Sequence, residues 1–363
     1  MKKIYILTSN ISEIGGVQKI TINLANQLSN EYEIIIVNAG RNTGEKFFEL
    51  NSKIKIEYLE VYFKKNRNPL EVIKNMVEVF FKLKKFLKIH TDKNEKKILI
   101  GMGIGFSYII SLLKFKNIKK IGSQHGGYKN NIILNKIRLN LLKRLDYFIV
   151  LNPEMYEENI KNFGLTNIKL IPNFILDDEY SIKKERKDLK VALAIGRFCE
   201  DKGFDYLIDI WENIVKEKPY FKLKIVGSGE LEQEIIKKIK IKKLEESIKV
   251  FPATSNIKKY YEEADVYLLT SRREGFGMVL LEAMASKLPI VSFNCPTGPK
   301  LLIKNNYNGY LVECFDKKEF ARKTIFLLSN QKNYRRMSEN AFLISKLYSA
   351  SKIIKQWKKI IDE

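Results

Sequence analysis

Short apolar, β-branched runs recur along the 363-residue chain, separated by stretches whose apolar residues follow helical periodicity. In the first half the runs are 4–8, 33–38, 54–59, 97–101, 118–122 and 146–151. In the second half they are 190–196, 222–227, 247–251, 265–270, 289–293 and 308–312. Strands apolar on both faces that alternate with helices predict parallel sheets covered by helices on either side. The rhythm pauses in a polar, charged segment after Pro172, which predicts a linker over 173–189. Two doubly wound, Rossmann-like α/β domains follow, 1–172 and 190–337, with a single helix over 338–361 closing the chain in a last segment, 338–363. In such an architecture the expected ligand site is the cleft outside the carboxyl ends of the strands. The longest uncharged stretch, 98–113, contains three glycines. It falls short of the roughly 20 apolar residues of a membrane span, and predicts a strand, a turn and a helix.

Composition changes this picture in one respect. With 45 % apolar and 11 % aromatic residues the chain can fill two cores, which excludes global disorder. Yet 65 Lys+Arg against 42 Asp+Glu leave a formal charge of +23 and a pI near 9.6. The excess is local, because the 81 residues from Lys64 to Arg144 hold 20 basic and four acidic residues and so carry +16. A lysine-rich composition would fill every solvated face with Lys, but it does not explain the scarcity of Glu in one segment. A functional basic patch is the expectation. Inside it, Pro69 suits a first helical turn, and Leu70, Ile73, Val77, Phe80, Phe81, Phe86 and Leu87 recur at helical spacing among Lys74, Lys82, Lys84, Lys85 and Lys88. Most of that stripe is expected in the core, with the lysines outside it meeting phosphate or anionic lipid.

Cys199, Cys295 and Cys314 lack paired spacing and support neither a disulfide framework nor a structural zinc site. Met1-Lys2-Lys3 runs directly into an apolar strand without a signal core. These features predict a cytoplasmic protein of a reducing compartment that can lie on a membrane surface.

The candidate chemistry stands at strand ends. Gly15-Gly16 separates the first strand from a helix, where backbone N–H groups can approach phosphate, although a plain tight turn would also use this pair. Arg197 and Lys202 follow the first strand of the second domain and can neutralise a departing diphosphate. Gly227 and Gly229 form a small-residue turn after the next strand. The strongest signal is Ser271-Arg272-Arg273-Glu274-Gly275-Phe276-Gly277-Met278-Val279-Leu280-Leu281-Glu282. Gly277 opens a helix whose N–H groups suit an anion, while Glu274 and Glu282 suit sugar and ribose hydroxyls. Glu282 interrupts an apolar helix face, a costly placement unless the carboxylate is used. His125, before two glycines at a strand end, is a further candidate, and His90 on a lysine-rich helix is not.

These residues resemble retaining, metal-independent glycosyltransferases of family GT4, which have the GT-B fold. Gly196-Arg197 through Lys202-Gly203, the Gly227-Ser228-Gly229-Glu230 turn and the pair Glu274 and Glu282 occur in that family's order and at its spacings, and the resemblance extends over essentially the whole chain. It implies that Arg197 and Lys202 contact the donor diphosphate, Glu282 the ribose and Glu274 the transferred sugar. It further implies that backbone groups of Gly275, Phe276, Gly277, Met278 and Val279 line the phosphates and sugar, and that His125 lies beside the donor sugar. The family often has an acid where Gln18 stands, so no role is carried over there. The stretch Cys295-Pro296-Thr297-Gly298-Pro299 resembles a variant in bacterial enzymes that build surface polysaccharide or lipid-linked oligosaccharide.

The expectation is therefore a retaining transferase that takes a hexose or N-acetylhexosamine from a UDP-sugar, with UDP-GalNAc, UDP-GlcNAc or UDP-galactose favoured by the resemblance. The acceptor is a lipid-linked glycan, and the enzyme works at the anionic inner face of the cytoplasmic membrane. No cofactor or metal is expected, because no Asp-x-Asp pair follows a strand. Two alternatives stay open: a nucleic-acid-binding protein using the basic 64–144 segment, and a UDP-sugar epimerase of similar fold. The absence of a recognisable nucleic-acid-binding module argues against nucleic acid as a partner.

Overall fold

The computed structural model describes residues 1–44, 47–63, 69–90, 96–126, 140–179 and 188–363. Two compact units divide the chain. One comprises Met1–Pro172 together with Ile353–Glu363, the other Asn173–Lys352. Of the basic segment, Lys64, Lys65, Arg67, Lys93, Lys129, Lys136 and Arg138 lie outside the described residues.

The first unit holds β1 (Lys3–Thr8), α1 (Gly16–Leu28), β2 (Glu33–Asn38), β3 (Lys55–Tyr58), α2 (Pro69–His90), β4 (Lys97–Gly101), α3 (Ile104–Ser111), β5 (Ile118–Ser123), β6 (Tyr147–Val150), α4 (Pro153–Phe163) and β7 (Ile168–Leu170). Its sheet is parallel, in the order β3-β2-β1-β4-β5-β6-β7. Ile4, Tyr5, Ile6 and Leu7 are all fully buried, as a central strand covered on both faces requires. The pattern of the chain did not predict β7. Only Ile168 of its three residues is buried, so this edge strand carries almost no apolar signal.

The second unit holds β8 (Val191–Ile195), α5 (Phe204–Glu217), β9 (Lys222–Gly227), α6 (Glu232–Ile241), β10 (Ile248–Pro252), α7 (Lys258–Glu263), β11 (Val266–Leu269), α8 (Met278–Ala285), β12 (Ile290–Phe293), α9 (Gly298–Leu302), β13 (Gly309–Val312), α10 (Lys317–Ser329) and α11 (Gln331–Ser345). Its parallel sheet runs β10-β9-β8-β11-β12-β13. Trp211, Leu223, Val266, Phe293 and Phe320 belong to one continuous core packed between the sheet and its helices.

Two expectations are corrected. The closing segment is not one helix. After α11 come a 3₁₀ turn, Lys346–Tyr348, then an extended Ser349, then α12 (Ala350–Asp362). The break is made by Ile175, whose N–H donates to the Tyr348 carbonyl at 3.0 Å and whose carbonyl accepts from the Ala350 N–H at 2.8 Å. Most of α12 then belongs to the first unit, with Ile353, Ile354, Trp357, Ile360 and Ile361 buried. Lys2 and Tyr32 bond Asp362 at 2.8 and 2.9 Å.

The second correction concerns α2. Its core face is Val79, Leu83 and Leu87, at 1 %, 0 % and 0 % exposure, whereas Leu70, Ile73, Val77 and Phe81 are 76 %, 59 %, 49 % and 62 % exposed. At 100° per residue these four lie within one stripe centred about 120° around the helix from the core face, and Lys84 and Lys88 continue that line. The helix carries two apolar stripes, and periodicity alone does not say which one faces inward.

Candidate functional site

In each sheet the strand order reverses at one place, and the loops leaving the carboxyl ends of the two strands there flank a crevice. In the second unit the reversal lies between β8 and β11. The loop after β8 carries Arg197 and Lys202, and the loop after β11 carries Ser271 and Glu274. Lys202 Nζ meets Glu274 Oε1 at 2.6 Å across this switch point, and Ser271 Oγ donates to the same oxygen at 2.9 Å. The Glu274 side chain is only 7 % exposed, so the pair sits where a charge is weakly screened. Thr297 Oγ1 donates to the Glu274 carbonyl from a residue at φ 74°. Positive φ at a β-branched residue costs about 1–3 kcal/mol and recurs at sites where geometry matters more than stability.

Two glycines make the approach of these loops possible. A Cβ on Gly203, at φ +64°, would stand 2.1 Å from the Thr270 carbonyl oxygen, and one on Gly227 would stand 2.0 Å from the Gly196 carbonyl oxygen. Neither position tolerates a side chain, so the turns bearing Lys202 and Ser228 press directly on neighbouring backbone. Arg272 straps the Lys202 turn from outside. Its guanidinium binds Asp205 at 2.7 and 2.9 Å and the Glu200 carbonyl at 2.5 Å. Arg197 is exposed, and the neighbouring Cys199 side chain and the Glu230 and Asp201 charges raise its pKa further. Burial, with Glu274 nearby, pushes the Cys295 thiol up to about 12, so it stays protonated.

The helix α8 begins at Gly277, φ +86°, with no side-chain cap and no acid in its first turn, leaving its terminal N–H groups for an anion. Gly275, Met278 and Val279 lie at this end. Phe276 turns its ring inward against Tyr348, so only its backbone faces the loop chemistry. Glu282 is 9 % exposed and accepts a 2.7 Å bond from Tyr261 Oη. Burial beside the Glu282 charge raises the Tyr261 pKa well above its ordinary value, which keeps the phenol a donor.

In the first unit the order reverses between β1 and β4. Gly15 caps α1 with no side-chain bond and lies at φ −177°, ordinary extended backbone that any residue adopts. A Cβ there would meet only the end of Gln18, so Gly15 is favourable at this turn rather than required by it. His125 follows β5. Its Nε2 lies 3.0 Å from Ser123 Oγ, and its Nδ1 is shielded from solvent with no partner among the described residues. Burial lowers its pKa to about 4, so the ring is neutral at pH 7. His90 bonds the Phe86 carbonyl at 2.9 Å and stacks on that ring, a structural role.

The structure thus brings Lys202 to Glu274 and sets Glu282 one turn into α8, while His125 and Gly15-Gly16 stand at strand ends of the other sheet. Sequence reasoning missed Tyr261, Ser271, Thr297 and Ser123. Ser271, Thr297 and Ser123 each stand within three residues of a residue already singled out, whereas Tyr261 carried no such signal.

The model of the family "Glycosyl transferases group 1" matches residues 177–343. A glycosyltransferase of Haemophilus influenzae is 32 % identical over 99 % of this chain and 100 % of its own. A Campylobacter jejuni α-1,4-N-acetyl-D-galactosaminyltransferase named for a diphosphoundecaprenol-linked glycan is 27 % identical over 100 % of this chain and 99 % of its own. Among solved structures, Staphylococcus aureus TarM in complex with UDP superposes with a TM-score of 0.83 at 18 % identity, covering 100 % of both chains, which establishes the GT-B fold. By its end-to-end similarity to the Haemophilus protein this chain belongs to the glycosyltransferases, and its second unit matches the group 1 domain.

Proposed function

We propose that the protein is a retaining glycosyltransferase that moves a hexose or N-acetylhexosamine from a UDP-sugar to a lipid-linked glycan in bacterial surface-glycan assembly. The observation that carries this reading is the Lys202–Glu274 pair across the β8/β11 switch point beside the uncapped N-terminus of α8. Lys202 gives one N–H to Glu274 and keeps two for a diphosphate. Arg197 and the α8 N–H groups add positive charge around the leaving group, so the work elsewhere done by a divalent cation falls to them. Glu282, oriented by Tyr261, takes the ribose hydroxyls, Glu274 a hydroxyl of the sugar, and His125 has the role toward the sugar that the resemblance implies. The acceptor hydroxyl forms its bond to the anomeric carbon on the face from which the diphosphate leaves. The bond to the diphosphate breaks, and the departing phosphate oxygen takes the hydroxyl proton.

The basic first unit holds the acceptor and rests on anionic lipid. The support for this is the outward stripe of α2, Leu70, Ile73, Val77 and Phe81, extended by Lys84 and Lys88 with Lys85 beside them. No helix of the described residues is long and apolar enough to cross a membrane.

The test is transfer by the purified full chain from each UDP-sugar to an undecaprenyl-diphosphate-linked glycan, with the product linkage determined by NMR. An α-linked product from an α-linked donor, formed in the presence of EDTA, is expected. A β-linked product, or no transfer from any UDP-sugar, overturns the proposal. Consumption of UDP-sugar without modification of the acceptor would point to epimerisation instead.

A further inference from the structure

The buried end of β5 holds a closed set of hydrogen bonds that decides which nitrogen of His125 carries its proton. Ser123 Oγ lies 2.9 Å from the Gly101 carbonyl oxygen, which can only accept, so the single hydroxyl proton of Ser123 points there. The same Oγ accepts from the Gly103 N–H at 3.1 Å. One lone pair remains, and it faces His125 Nε2 at 3.0 Å. Nε2 must therefore carry the hydrogen. Were Ser123 to donate to Nε2 instead, two oxygen lone pairs would face each other at 2.9 Å between Ser123 and Gly101. Ser107 fixes the serine in turn, its Oγ accepting from the Ser123 N–H at 2.9 Å and lying 3.0 and 3.1 Å from the carbonyl oxygens of Gly103 and Ser123.

With Nε2 protonated, Nδ1 bears a bare lone pair. It is shielded from solvent and unpartnered among the described residues, an arrangement that favours a ligand able to donate a hydrogen bond. We infer that Ser123 is a positioning residue, which locks His125 as the Nε2–H tautomer and thereby presents Nδ1 as an acceptor for a hydroxyl of the sugar substrate. The tautomer lock stands on the geometry of the first unit alone, while its use toward a sugar rests on the function proposed above. The lowered pKa of His125 accords with it, since a ring charged at pH 7 would have no acceptor to offer.

The chain has only two histidines, so long-range ¹H–¹⁵N correlation spectra of the full-length protein, assigned with His90→Gln, report the tautomer without any substrate. A neutral Nε2–H ring is expected at pH 7. Ser123→Ala should shift it to the other tautomer or to a mixture, and Ser123→Thr, which keeps the hydroxyl, should restore it. An Nδ1–H or charged ring in the wild type, or an unchanged tautomer in Ser123→Ala, overturns the lock. In transfer assays Ser123→Ala should lower kcat/KM about tenfold while the UDP dissociation constant stays at the wild-type value. A changed tautomer with unchanged kcat/KM would overturn the acceptor role of Nδ1 and leave the lock standing.

Discussion

The two switch points are built on the same topology with opposite chemistry. At β8/β11 the loops carry formal charges that are paired, Lys202 with Glu274 and Arg272 with Asp205 in the first turn of α5. At the β5 end beside β1/β4 the hydrogen-bonded groups are uncharged, a glycine N–H, two serine hydroxyls and a histidine held neutral by burial, while the acid of the β1 loop, Glu13, is exposed. The contrast continues outward. Burial alone would raise the Asp209 pKa, but bonds from Lys238 and Lys317 win and hold it at about 2, so lysines of the second unit neutralise acids at its helix surfaces. In the first unit, lysines of α2 line up on an exposed stripe. A site meant for an anion needs fixed cations at its centre. A site meant for hydroxyls is better served by neutral donors and acceptors, with cations kept for the surface.

The largest effect should come from removing the central cation. Lys202→Ala is expected to lower kcat about 10²–10³-fold, the usual loss when one stabiliser of a developing negative charge is deleted. Lys216→Ala, on the exposed side of α5, should leave transfer unchanged. Wild-type turnover in Lys202→Ala would break the comparison at its root, because the second switch point would then not be the anion site.

The outward lysines should matter next, and for a different assay. Near an anionic surface each Lys contributes about 1 kcal/mol, so Lys84→Glu, Lys85→Glu and Lys88→Glu together should weaken binding to phosphatidylglycerol vesicles at least 10²-fold. UDP binding should not change. Equal vesicle binding by wild type and triple variant in sedimentation would mean that this face of α2 is solvated and nothing more.

Within the second unit, Tyr261→Phe removes the 2.7 Å bond to a nearly buried carboxylate. A bond of that kind is worth about a factor of ten, and the loss should appear in the UDP dissociation constant measured by calorimetry. Tyr261→Phe and Glu282→Gln should be non-additive, because both act on the same ribose contact. Additive losses would separate Tyr261 from the nucleotide.

How much of this was legible in the chain follows the same contrast. The central strands β1 and β4 announce themselves by continuous apolar runs, because both faces are covered. The edge strand β7 does not, since Lys169 and Leu170 face solvent. The charged loop of the second unit could be read from glycines and acids at strand ends, where residue type and position together restrict the chemistry. Tyr261 could not, because a tyrosine on a short helix after β10 looks like any core aromatic until its hydroxyl is seen against Glu282. Ser123 was hidden for a related reason: its effect lies in which of its three neighbours can only accept. Nor does periodicity tell the inward stripe of α2 from the outward one. That depends on what the rest of the sheet leaves uncovered.

The smallest expected effect tests the neutrality of the first switch point through stability. Burial lowers the His125 pKa from 6.5 to about 4, so as pH falls the unfolded chain takes up this proton before the folded one. The contribution is complete above pH 6.5 and is lost progressively on the way down to about pH 4. Between pH 7 and 5.5 the first unit should lose about 1 kcal/mol from this group alone. The two tryptophans allow the unit to be followed by itself. Trp357 lies on α12 in the first unit, so a Trp211→Phe background leaves one reporter there. In that background, the urea midpoint of the Trp357 transition should fall over this range. The unfolding free energy derived from it should fall by about 1 kcal/mol less when His125 is replaced by Asn, which cannot titrate yet can keep an oxygen near the Nδ1 position. Identical pH dependence in the two proteins would mean that His125 titrates normally in the folded state. The first switch point would then present a cation near pH 6, like the second, and the distinction between an anion site and a hydroxyl site would collapse.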